Sequence, residues 1–150
     1  MDIVKLTKFE VAKIQLVKAI ELFCSQEPLP AITLAGAAED ILGKLVKKGG
    51  GTNALEEEIK DQCELYQTVF GCSGEPREFA TLMNNSRNEL KHLMSGNQLE
   101  FNLEEEAVNL FQRAIDNFQK LEPGPNTVFQ QFDDKAAAWY RRYSSRRAEK

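Results

Sequence analysis

Four clusters of proline and glycine divide this chain: Pro28 with Pro30, Gly49-Gly50-Gly51, the run from Gly71 through Gly74 to Pro76, and Pro123-Gly124-Pro125. Within each piece the apolar residues recur at threes and fours, which places them on one side of a helix. In the first piece Ile3, Leu6, Val11, Ile14, Val17, Ile20 and Phe23 alternate with Lys5, Lys8, Glu10, Lys13 and Lys18, predicting a long buried helix from Ile3 to Phe23. Pro30 is placed to open the second, because proline is tolerated where the backbone N–H has no intrahelical acceptor. That helix should run to Lys48, and Ala31, Ala35, Gly36, Ala37, Ala38 and Gly43 predict close approach of a neighbour. A third helix is expected from Asn53 to Phe70, with Leu55, Ile59, Cys63, Tyr66 and Phe70 on one stripe.

The signals around residue 102 are the clearest in the chain. Asn102 is a good N-cap, Glu105 stands three residues on, and Glu104-Glu105-Glu106 puts acid in the first turn, where the helix dipole favours it. Leu103, Ala107, Leu110, Ala114, Ile115 and Phe118 form its stripe. Beyond Pro125, Val128, Phe129, Phe132, Ala136, Trp139, Tyr140 and Tyr143 suggest a further helix or packed tail. No segment alternates as a strand does, and no repeat of solenoid period is present. The expected fold is all-α: a bundle of four to five main helices plus a C-terminal helix or tail. With 150 residues, 42% of them hydrophobic, residues 1–150 suffice for one ordinary core and read as one domain.

Composition narrows the chemistry. The three cysteines are odd in number and lack CxxC spacing, so neither a disulfide framework nor a zinc site is expected, and a reducing cytoplasm is. The start of the chain does not read as a signal peptide, and no stretch has the length of a membrane span. A net charge of -4 weighs against broad nucleic-acid binding. The average hides an asymmetry, since the last ten residues hold Arg141, Arg142, Arg146, Arg147 and Lys150 against the single acid Glu149. Gly49-Gly50-Gly51 follows a helix and lacks the ending of a phosphate-binding loop. The acids at 104–106 are explained by capping, so no metal or other cofactor is expected.

The fourth piece carries the only histidine, in Ser86-Arg87-Asn88-Glu89-Leu90-Lys91-His92. Histidine titrates nearest neutrality, arginine offers a planar donor set suited to phosphate, and asparagine adds an orienting amide. A phosphate clamp, an amide and a titrating imidazole are what metal-free cleavage of an RNA phosphodiester needs. If one helix spans this region, Leu82, Met83, Ser86, Leu90 and Leu93 fall within about 60° of Phe79 and face the core. Arg87 then lies at the flank, about 80° away, with Asn88 and His92 near 180° and 220° on the opposite side. On that register Arg87→Ala and His92→Ala should each cost no more than about 1 kcal/mol, and Leu90→Ala about 2–5 kcal/mol.

An arginine, a polar residue and a histidine five positions after the arginine, in a small all-helical protein, resemble the signature of the HEPN superfamily. The match is Arg87-Asn88-Glu89-Leu90-Lys91-His92. The resemblance implies a HEPN-like domain over the chain, metal-independent endoribonuclease or RNA-binding activity, a site assembled across a homodimer, and roles in toxin–antitoxin or defence systems with an antitoxin or other protein partner. Met94 stands where some members carry a tyrosine. Arg87, Asn88 and His92 would be catalytic, with Lys91, Arg141 and Arg142 touching RNA. His92 would move a proton at the 2′-OH or the leaving 5′-oxygen, and a twofold partner would supply the second imidazole. The wider pattern also resembles a group of small bacterial helical proteins to which no function attaches.

A second class stays open beside the enzyme: a non-catalytic helical module for dimerisation or protein interaction. In that reading His92 is solvated near a helix end, Arg87 makes a surface ion pair, and the arginines near the C-terminus are solvated. Glu39 and Asp40 could orient Arg87 or Lys44, and Asp40 and Lys44 have the i,i+4 spacing of a helical salt bridge.

Overall fold

A computed structural model describes residues 3–91, 98, 100 and 102–148, without the side chains of residues 86, 91 and 146–148. Among the described residues there are seven helices and no strand: α1 (Lys8–Cys24), α2 (Pro28–Lys48), α3 (Ala54–Phe70), α4 (Pro76–Met83), α5 (Asn85–Lys91), α6 (Leu103–Leu121) and α7 (Thr127–Ala148). The chain is an all-α helical bundle.

α1 starts at Lys8, later than its periodicity suggests, because Thr7 closes a capping box. Thr7 Oγ1 accepts from the Glu10 N–H at 3.1 Å, and the Glu10 carboxylate accepts from the Thr7 N–H at 2.7 Å. That backbone bond, helped by the Thr7 hydroxyl, holds the Glu10 carboxyl below its usual range. Ile3, Val4 and Leu6 therefore precede the helix and are exposed, as is Ile14. The buried side of α1 holds Ala12, Leu16, Ala19, Ile20 and Phe23 instead. Two alanines on that side suit close approach to the alanine-rich α2.

α2 is the centre of the bundle and packs on both α1 and α6. It begins at Pro28, with Pro30 in its first turn, and buries Ala31, Ala35, Gly36, Ala38 and Gly43, the small residues that permit close packing. Phe23 of α1, Phe111 of α6 and Phe132 of α7 meet with ring centroids between 5.3 and 6.2 Å apart. Phe118 bridges Phe9 at 5.2 Å and Phe129 at 5.0 Å, spacings typical of packed aromatic pairs. Lys135 of α7 donates to the Phe23 carbonyl and lies 4.5 Å over the Phe23 ring, so a cation closes the end of α1.

The fourth piece is not one helix. Asn84 separates α4 from α5, and its side-chain amide donates to the Ala80 carbonyl at 2.9 Å, which its own backbone N–H also approaches at 3.2 Å. Asparagine competes in this way for helix carbonyls, and the register turns at the break. Leu82, expected in the core, is 69% exposed, whereas Leu90 packs against the core.

Candidate functional site

The break at Asn84 turns Arg87 inward. Its aliphatic stem lies against α2, where a Cβ added to Gly36 would stand 2.7 Å from Arg87 Cγ. Its Nη1 donates to Glu39 Oε2 at 2.8 Å, three residues on along the same face of α2. Glu39 is 4% exposed and the Arg87 side chain 16%. The flank position inferred from one continuous helix is thus corrected: Arg87 is a largely buried partner of a buried carboxylate.

A second arginine completes the cluster. On α6, Arg113 Nε faces Glu39 Oε1 at 3.7 Å, Nη1 donates to Glu58 Oε2 at 3.2 Å, and Nη2 donates to the Met83 carbonyl at 3.1 Å. Two guanidinium groups and two carboxylates so join α2, α3, α4, α5 and α6 at one point. Burial raises the Glu39 carboxyl above its ordinary value, while Arg113 and then Arg87 pull it down and Asp40 and Glu58 push it up. The 2.8 Å contact is that of a charge-assisted pair, which the two arginines hold against the cost of desolvation.

Arg113 is absent from the sequence expectations, although a signal for it exists. It lies on the apolar side of α6 with Leu110 and Ala114, and so does Asn117, which is fully buried. A polar residue on a buried stripe must find partners. Asn117 Oδ1 accepts from the Ala54 N–H at 2.8 Å, and Lys120 one turn on reaches the Thr52 carbonyl at 2.9 Å and Glu57 at 2.6 Å. These contacts tie the first half of α3 to α6. Beside them a cleft of about 240 Å³ is lined by Glu57, Glu58, Asp61, Gln112 and Asp116. Burial raises the Asp116 carboxyl, opposed by Lys120 and assisted by Glu57 and Glu58. Among the described residues no group of three histidine, cysteine or acidic side chains is placed to hold a metal ion.

The remaining candidates are dispersed. Asn88 is half-buried on α5, and its N–H donates to the Asn84 carbonyl at 3.0 Å. The Lys91 side chain and all of His92 lie outside the described residues, so the Arg87–His92 geometry stands as an expectation. Arg141 and Arg142 are exposed on α7. Arg142 sits 3.9 Å from Glu104 at the start of α6 and lines an open cleft of about 500 Å³ with Phe23, Gln26, Pro28 and Lys135. Asp40 accepts from Lys44 at 2.7 Å, the pair their spacing suggested.

The other outward feature is the α3–α4 hairpin. Every residue of α3 from 64 to 70 is exposed, including Leu65, Tyr66, Val69 and Phe70. Tyr66 packs at a tilt against Phe70, ring centroids 4.6 Å apart, and meets Phe79 of α4 at 6.1 Å, and Gly71, at φ 73°, ends α3 in the left-handed conformation that glycine adopts without cost. Among the described residues no helix is long and apolar enough to cross a membrane. Compared with protein-family models, curated proteins and solved structures, the chain matches none.

Proposed function

We propose that this chain is a non-catalytic helical interaction module working through its α3–α4 hairpin. The observation that carries this reading is the exposure of Leu65, Tyr66, Val69, Phe70 and Leu82 on one two-helix unit. Large exposed apolar side chains gathered on one hairpin mark a place where something binds, whereas singly scattered ones do not. The use of Arg87 inside the fold supports it, because a guanidinium spent on Glu39 is not a free phosphate clamp. A photo-crosslinking residue at position 69, introduced in the producing cells, should give discrete protein adducts, and one at the exposed Ala137 of α7 should not. The absence of adducts at 69 would overturn the reading.

A second reading, a metal-independent endoribonuclease of HEPN type, rests on the Arg87-Asn88-Glu89-Leu90-Lys91-His92 pattern. There a homodimer supplies the second His92, Lys91, Arg141 and Arg142 meet RNA, and an antitoxin or other partner restrains the activity. Purified protein would then cut single-stranded RNA in EDTA to leave a 2′,3′-cyclic phosphate, with a loss of about 10²–10⁴-fold in His92→Ala.

A further inference from the structure

Resting on the interaction-module reading, we infer that the outward face of the α3–α4 hairpin docks a basic amphipathic helix of a partner protein. Five of the eleven large apolar side chains exposed among the described residues fall between positions 65 and 82. On α3 they are paired at i,i+4, Leu65 with Val69 and Tyr66 with Phe70, which makes two adjacent ridges along the helix axis. Ridges of this spacing accept the grooves of a second helix. On α4, Leu82 borders an open cleft of about 560 Å³ lined by Glu75, Arg77, Glu78 and Thr81, room for a side chain of that helix.

Charge selects the occupant. Asp61 borders the ridges of α3, whereas Lys60 and Glu64 lie 3.8 Å apart on the opposite side of that helix, and Glu75, Glu78 and Arg77 line the cleft beside Leu82. An acidic margin repels RNA phosphates and anionic lipid headgroups and favours lysine or arginine beside an apolar stripe. The apolar contacts supply affinity and the carboxylates supply partner choice.

The test uses the full chain, labelled for NMR, and two synthetic helical peptides that share a leucine stripe, one flanked by lysines and one by glutamates. The leucine–lysine peptide should bind one to one, shift resonances within residues 65–82, and bind at least tenfold more tightly than the leucine–glutamate peptide. The preference should shrink as salt is raised. The double substitution Val69→Ser with Leu82→Ser should weaken binding at least tenfold while leaving the helical circular dichroism intact, because both side chains are exposed. Equal binding of both peptides, lost in the serine variant, would overturn the charge selection and leave the interaction module standing. Binding that the serine variant retains, or shifts elsewhere, would overturn both. Self-association abolished by the serine pair would assign the face to a second copy, and binding to anionic vesicles or RNA through residues 65–82 would overturn the protein partner.

Discussion

Replacing Arg87 by alanine removes the closest counter-charge from a carboxylate that is 4% exposed. Breaking a buried ion pair from one side typically costs 3–5 kcal/mol, because the remaining charge stays desolvated. Two features put this case at the lower end: Arg113 still faces Glu39 at 3.7 Å, and Arg87 itself keeps 16% of its side-chain surface in water. Arg87→Ala should therefore lose about 3 kcal/mol, a fall in Tm of roughly 6–12 °C for a domain of this size. Arg87→Met keeps the stem against Gly36 and should lose about 1 kcal/mol less. The assay is urea unfolding followed by the helical circular dichroism signal at several pH values. Losing Arg87 raises the Glu39 carboxyl further above its ordinary value of 4.5, so the variant's native state holds its proton to higher pH than the wild type. The deficit is then greatest at neutral pH and shrinks as pH falls toward that value and the carboxyl becomes neutral. Losses under about 0.5 kcal/mol in both variants, the range of an exposed pair, would refute the reasoning. A deficit independent of pH would refute its electrostatic part.

The same assay checks three further outcomes. Gly36→Ala should destabilise the wild type, since its Cβ would press on Arg87 Cγ at 2.7 Å, yet stabilise the Arg87→Ala background by up to about 1 kcal/mol through helix propensity. Asp116→Asn should stabilise by up to about 0.5 kcal/mol at neutral pH, because the Asp116 carboxyl is raised by burial, and the gain should vanish below the ordinary aspartate value of 3.8, where both side chains are neutral. Leu82→Ala should change stability by no more than about 0.5 kcal/mol while Leu90→Ala costs about 2 kcal/mol, the reverse of equal burial on one continuous helix.

Helix content, most helix ends and the bundle class were legible because they depend on neighbours within a few residues. Asn102 caps α6 as its side chain suggests, Asn53 caps α3 at the expected start, and all but Ala37 of the small residues named on α2 are buried. The start of α1 and the break at Asn84 are also written locally, in Thr7 with Glu10 and in the two consecutive asparagines, although the longer apolar period points to unbroken helix at both places. What a period cannot supply is the meeting of groups far apart in sequence. Glu39 and Arg87 are 48 positions apart, and Arg113 and Glu58 are 55 apart. Whether those charges lie in water or in the interior depends on where five helices cross. The same holds for the two halves of α3, which share one apolar stripe. The first half is tied to the polar side chains of α6, and the second, which meets α4 through Tyr66 and Phe79, carries its apolar residues on the surface. A stripe states which side of a helix seeks cover, and only the placement of the other helices decides whether cover is there.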